Sequence, residues 1–176
     1  MSNPPIPKRV DARKLVQREQ YLDGVLAVDQ LERLPAAVES ISGEVRAELT
    51  FGRDLQGHAT VDGRVQCAVQ LLCQRCLQPM PAQVDGTFRW GIVWSEERGK
   101  ALPKDLDPIV QAGDELNLYE VLEDEILLNL PMVAYHDEEC VAREHFHSGE
   151  EVESAEEQQE NPFKVLEQLK GSSGKS

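Results

Sequence analysis

Three long runs of alternating apolar and polar residues restrict this chain more than any other feature of it. Val45, Ala47, Leu49 and Phe51 share one parity, with Glu44, Arg46, Glu48 and Thr50 on the other. Turn-forming residues occupy 52–57. Val61, Val65, Cys67, Val69 and Leu71 then hold one parity up to Cys73, interrupted only by Gly63. Beyond Pro79 the phase resets, and Met80, Ala82, Val84, Phe88, Trp90, Ile92 and Trp94 all fall on even positions. Strand side chains point alternately to opposite faces, so each run describes a strand with one buried and one solvated side. Short turns between such strands predict an antiparallel meander. The alternation does not encode whether that sheet stays open or curls into a partial barrel. Cys67 lies in phase with the buried face and reads as a core thiol rather than a ligand.

Helical signals flank the sheet and make the fold class α+β. Asp11 is a candidate N-cap for a helix over 12–20, behind an extended start containing Pro4, Pro5 and Pro7. Residues 21–27 suggest a short strand broken at Asp23-Gly24, and Asp29 a second short helix curtailed by Pro35. Residues 95–108 read as a loop, after which Ile109-Val110 can add a short strand. Asp114 is the expected cap of a longer helix over 116–130, stopped by Pro131. Leu118, Val121, Leu122, Glu125, Ile126 and Asn129 follow helical spacing there. Glu120, Glu123 and Asp124 fall on the opposite face, where solvation or partner binding is the expected role. No nucleophile or phosphate loop accompanies these acids, so they do not suggest catalysis.

Composition bears on partners and compartment. Of 176 residues, 32 are Asp or Glu and 18 Lys or Arg, a formal net charge of -14 that disfavours broad, nonspecific nucleic-acid binding. Aromatics make up only 5%, so the core must be mainly aliphatic. No apolar run is long enough for a membrane span, the first residues have no signal-peptide core, and four unevenly spaced cysteines do not form a secreted disulfide framework. A cytoplasmic protein without a membrane or small-molecule partner is expected. Against the acidic background, residues 1–20 hold Lys8, Arg9, Arg13, Lys14 and Arg18 against Asp11 and Glu19, a surplus of three positive charges. That arm is a candidate RNA or partner contact; a solvated helix face is the competing reading.

Chemistry concentrates at Cys73-Gln74-Arg75-Cys76, which the alternation places at a hairpin tip. Two thiols at this spacing can share one tetrahedral metal ion or close a reversible disulfide, and they can also be turn residues with no ligand. His136 and Cys140 have the spacing to complete a four-ligand set, and His145 and His147 are further candidates. Zinc held by four protein side chains is structural, because no position is left for a reacting water. A redox role is the alternative, although redox CxxC pairs usually sit at a helix N-terminus, which stabilises the thiolate. Residues 137–160 carry ten acids and one basic side chain, Arg143, and are expected to be disordered. Residues 161–170 return to an amphipathic helical pattern, with Phe163, Leu166 and Leu169 on one face as a docking element. The expected organisation is thus a single domain over 1–136, an acidic segment over 137–160, a short helix over 161–170 and a flexible end over 171–176.

Three blocks of this sequence together resemble the large ribosomal RNA subunit accumulation protein (YceD) family. They are Cys73-Gln74-Arg75-Cys76, the segment running from Val121 through Glu123-Asp124-Glu125 to Leu130-Pro131, and the tail Asn161-Pro162-Phe163-Lys164-Val165-Leu166. The resemblance implies a cytoplasmic, non-catalytic factor supporting 23S rRNA accumulation or processing and large-subunit biogenesis. Its implied partners are a large-subunit ribosomal protein, a precursor particle or 23S rRNA. Many members of that family carry a richer second cysteine cluster after the Leu-Pro step, where this chain has only His136 and Cys140. An acidic segment suits basic ribosomal proteins better than bare RNA. The third possible class, an rRNA nuclease or modifying enzyme, finds no cofactor loop or acid–base constellation in the sequence.

Overall fold

The computed structural model describes residues 3–142, nearly all within one compact unit, Met1–Val141. His145, His147, most of the acidic segment and the docking residues Phe163, Leu166 and Leu169 lie outside the described residues.

The three alternating runs form the three long strands of an open sheet. Taking the strands in chain order with their partners, β1 is Arg9–Val10, β2 Tyr21–Leu26, β3 Ser40–Arg53, β4 Ala59–Leu72, β5 Pro79–Val93, β6 Asp107–Val110 and β7 Leu116–Asn117. Strands β2-β3-β4-β5-β6 make one five-stranded sheet in that order, and β1 pairs with β7 in a separate two-stranded ribbon. The first four strands of the large sheet are antiparallel, whereas β6 runs parallel to β5, with Trp90 opposite Asp107 and Val93 opposite Val110. The architecture is therefore α+β with a mainly antiparallel sheet, and that sheet does not close into a barrel. The parallel edge strand departs from a pure meander because the 95–108 connection is long enough to cross over. It contains helix α3, Glu96–Lys100, where the pattern suggested only loop.

The parity of each run is the parity of burial. Val45, Ala47, Leu49 and Phe51, then Val61, Val65, Cys67 and Val69, then Val84, Phe88, Trp90 and Ile92 all enter the core. Gly63 interrupts the β4 pattern for a steric reason. A Cβ at that position would lie 2.2 Å from the Phe88 ring, which instead fills the space and stacks on Trp90 with ring centroids 4.3 Å apart. The Asp23-Gly24 step does not break β2. Gly24 is needed because a Cβ there would stand 2.1 Å from the carbonyl oxygen of Pro4. The backbone of residues 4–6 lies along β2, with Val25 N donating to Pro4 O and Ile6 N to Val25 O, each at 2.9 Å. That pairing covers an edge that would otherwise expose unpaired backbone groups.

Helices bury the sheet face and tie the N-terminus down. Asp11 caps α1, Ala12–Gln17, accepting from Lys14 N at 3.2 Å, and α1 turns Ala12 and Val16 inward. Pro35 opens rather than ends the short α2, Leu34–Ala37; proline is tolerated in a first turn because its missing N–H would have no intrahelical partner there. A separate 3-10 turn covers Val28–Gln30. The long helix α4 spans Leu118–Leu128, two residues later than the sequence suggests, because Leu116 and Asn117 are held in β7 and Asn117 rather than Asp114 takes the capping position. Leu118, Tyr119, Leu122, Glu123 and Ile126 form its buried face. The Tyr119 hydroxyl donates to Ile6 O at 3.2 Å and accepts from Ala27 N at 3.0 Å, joining three segments at one oxygen. Among the described residues no helix is long and apolar enough to cross a membrane.

Two acids of α4 do not serve solvation. Glu123 is buried, and its Oε1 accepts from Arg33 N at 2.7 Å and Leu34 N at 2.8 Å, while Oε2 takes Arg33 Nε at 3.3 Å. It therefore supplies from α4 the cap that α2 cannot supply for itself. Glu125 accepts the indole N–H of buried Trp90 at 2.7 Å. Burial raises its pKa, the Trp90 hydrogen bond opposes that shift, and the charges of Asp107 and Asp124 reinforce it. The helical pattern had placed Glu125 on the apolar face, and this contact is the reason.

Candidate metal centre

Strands β4 and β5 end in register at Leu72 and Pro79, so residues 73–78 form the connecting tip. Cys73 N donates to Gln78 O at 2.9 Å and Leu77 N to Cys73 O at 2.8 Å, folding the chain so that both thiols face the same side. The turn requires left-handed backbone at Leu77, with φ of 58°, a conformation side chains other than glycine rarely take.

Residues 133–140 come back across this tip after α4. Gln74 N donates to Ala134 O at 2.8 Å, and Ala134 is buried. Arg75 makes the larger contribution. Its guanidinium donates to His136 O and, at 3.1 Å, to Glu138 O, and it lies 5.1 Å from the centroid of the Tyr135 ring. The arginine inside the CxxC pair thus ties the second half of the cluster to the first. Its spacing to the cysteines carries no sign of that role, since the bonds go to backbone carbonyls more than sixty residues away.

Cys73, Cys76, His136 and Cys140 meet as the spacing suggested, with their ligand atoms all within 4.8 Å of one another. Cys73 Sγ is 3.6 Å from Cys140 Sγ, and Cys76 Sγ is 3.4 Å from His136 Nδ1. Among the described residues no other group of three or more such side chains gathers in this way. Cys73 is fully buried, whereas Cys76, His136 and Cys140 are only partly buried. Burial pushes the Cys73 thiol up. The backbone hydrogen bonds of Cys76, His136 and Arg75, with the Cys140 thiol, outweigh that and lower it to about 5. Cys140 moves the other way, to about 11, through burial and its hydrogen bonds to Cys73 and Cys76. Three thiols and an imidazole facing one another, with the backbone around Cys73 favouring its thiolate, are a donor set that can hold a metal ion. Cys67 takes no part: it is buried in the sheet, and burial alone raises it to about 11.

The basic residues of the N-terminal arm do not form one patch. Lys14 pairs with Asp11 at 3.0 Å, and Lys8 lies 5.9 Å from the Tyr119 ring centroid, beside a cavity that Glu32, Glu120 and Glu123 also line. Arg9 is exposed in β1 and Arg18 ends α1. Arg13 alone approaches other arginines, over the ring of Trp94.

An open, mainly antiparallel sheet covered by one long helix, with a Cys3His group at the tip of its central hairpin, defines an α+β protein with a candidate metal-binding group. Residues 61–170 match the family described as "Large ribosomal RNA subunit accumulation protein YceD". The chain belongs to that family. A Haemophilus influenzae protein bearing the same description is 33% identical over 169 residues, which span 94% of this chain and 96% of that relative. No solved structure matches the chain.

Proposed function

We propose that this protein supports the accumulation of large-subunit ribosomal RNA as a non-catalytic cytoplasmic factor, binding a ribosomal protein, a precursor particle or 23S rRNA itself. The observation that carries this reading is the end-to-end similarity to the Haemophilus influenzae protein whose name states that role. A net charge of -14 favours basic protein partners, with the acidic residues of 137–160 shielding such a partner before assembly. Lys8, Arg9, Arg13, Lys14 and Arg18 are the proposed contacts to RNA, and Phe163, Leu166 and Leu169 the proposed docking residues of the tail.

The Cys3His group is proposed to hold one zinc ion with a structural role. Tetrahedral zinc with Zn–S bonds of about 2.3 Å and Zn–N bonds of about 2.0 Å needs S···S edges of about 3.8 Å and S···N edges of about 3.5 Å. Two of the six edges, at 3.6 Å and 3.4 Å, lie close to these, and all six are within 4.8 Å. Such an ion would tie the chain after α4 to the β4–β5 tip. A thiol–disulfide role finds no support in the likeness to the accumulation-protein family.

Sedimentation of the tagged full-length protein through a sucrose gradient, at low and high salt with the RNA of each fraction sequenced, tests the main reading. Co-migration with large-subunit precursors that weakens as salt rises is expected. Protein confined to the top of the gradient, with neither rRNA nor ribosomal proteins attached, would overturn it. For the metal, native mass spectrometry should show one zinc per chain, lost in Cys76→Ser; a metal-free chain after growth in zinc-supplemented medium refutes that assignment.

A further inference from the structure

Four arginines of this acidic protein pair with carboxylates: Arg33 with Glu123 and Asp124, Arg46 with Asp23, Arg64 with Asp85, and Arg89 with Asp62 and Asp105. Arg13, Arg53 and Arg98 form no ion pair among the described residues, Arg53 donating instead to the Gly57 carbonyl at 2.8 Å, although acids outnumber bases almost two to one in the whole chain. These three come from α1, the end of β3 and α3, and they converge on a cavity of about 570 Å³ also lined by Val16, Gln17, Trp94 and Ser95. Among the described residues no carboxylate lines it. Glu96 and Glu97, next to Arg98, are exposed and outside the lining. A second cavity of about 330 Å³ shares Arg53, Trp94 and Arg98 with the first and extends the surface towards His58, whose own partner is Asp54 at 2.7 Å.

Three cations brought together without counter-charges repel one another, so the arrangement favours an anion between them. Trp94 narrows the kind of anion. Its ring carries the Arg13 guanidinium 4.7 Å from the centroid, and its buried indole N–H has no hydrogen-bond partner among the described residues. Flat π surfaces beside guanidinium groups suit nucleobases, while the guanidinium forks match phosphate oxygens. The Arg13 guanidinium covers one face of the Trp94 ring, so a base would stack on the outer plane of that guanidinium, a surface a free inorganic anion would leave unused.

We infer that Arg13, Arg53 and Arg98, gathered around Trp94, form a binding site for single-stranded RNA, with the arginines on successive phosphates and the aromatic surface beside a base. This rests on the reading of the protein as an rRNA accumulation factor and gives that reading a contact surface. The sequence hid the site because its arginines are separated by 40 and 45 positions and only Arg13 belongs to the basic arm.

The test is titration of the full-length protein with a single-stranded oligoribonucleotide of about ten nucleotides, read by tryptophan fluorescence across a salt series. Trp90 is fully buried, so a quench reports on Trp94, the second of the two tryptophans. Three neutralised phosphates on a single strand give a slope of log affinity against log salt of about -2, so a fourfold rise in salt weakens binding about 20-fold. Arg13→Gln, Arg53→Gln and Arg98→Gln should each flatten the slope by about 0.7, whereas Arg64→Gln should leave it unchanged. All three arginines have exposed side chains, so these variants should fold. Wild-type affinity and slope in all three would overturn the site, as would poly-aspartate binding with equal affinity and the same arginine dependence, which would assign it to an acidic peptide. If the variants also sediment with precursors as the wild type does, the accumulation reading stands without this site. Arginine-dependent oligonucleotide binding without sedimentation would support the site and overturn that reading.

Discussion

Replacing Glu123 by alanine should remove the junction between α4 and α2. Both N–H groups held by Oε1 lose their acceptor, and they are not equivalent. The Arg33 N–H is only partly buried and can be rehydrated, while Leu34 is fully buried and its N–H cannot. A hydrogen bond to a charged acceptor contributes about 1.5–3 kcal/mol, and an orphaned buried donor costs about 1–3 kcal/mol. With one bond partly replaced by water, Glu123→Ala should destabilise the protein by about 3 kcal/mol. Glu123→Gln keeps a carbonyl oxygen for both N–H groups but turns an amide NH2 towards Arg33 Nε, so about 1–1.5 kcal/mol is expected. Asp124→Ala is the internal control. Asp124 also contacts Arg33, but both side chains are about half exposed, and such a pair contributes about 1 kcal/mol or less. Urea unfolding followed by far-UV circular dichroism should give midpoints in the order wild type, Asp124→Ala, Glu123→Gln, Glu123→Ala, with unchanged m-values. A Glu123→Ala loss below about 1 kcal/mol, or one matched by Asp124→Ala, would refute the capping argument.

Three further outcomes follow from the same structure. Gly63→Ala should cost about 1–3 kcal/mol by pushing Phe88 off Trp90, seen as a lower urea midpoint and a changed near-UV tryptophan signal; a native near-UV spectrum would contradict it. Leu77→Gly should leave stability unchanged or raise it by up to about 1 kcal/mol, because glycine relieves the left-handed strain and Leu77 buries little surface; a loss above about 1 kcal/mol would mean that the side chain holds the tip. Cys67 gives a pH test. Its folded pKa of about 11 lies above the unfolded thiol value of about 8.5, so the unfolded chain releases its proton first as pH rises. Its contribution to stability is intact below pH 8.5 and falls between there and pH 11; Cys67→Ala should lessen that decline, and an unaltered profile would refute the assignment.

Much of the fold was legible because strand and helix periodicities are local. The parity of Val45 to Phe51, of Val61 to Leu71 and of Met80 to Trp94 reports a face, and a sheet with one buried face must turn that parity inward. The meeting of Cys73, Cys76, His136 and Cys140 was legible only as a possibility, since each pair's spacing suits one metal ion but says nothing of which distant pair it joins. Boundaries failed where neighbours in space competed with neighbours in sequence. β7 delays the start of α4, and Pro35 opens a helix because α4 supplies its cap. The parallel β6 was hidden in a segment whose polar composition reads as loop.

By itself, the sequence determined the three strands and their inward faces, the long helix, and the position of the CxxC pair at a turn. Tertiary structure alone decided that Arg75 holds His136 and Glu138 by their carbonyls, that Glu123 is an interior cap, and that Arg13, Arg53 and Arg98 share one cavity. The difference is physical. Alternation is set by each strand's own geometry. Convergence of residues forty to ninety positions apart depends on strand register and helix docking, which are properties of the packed chain as a whole.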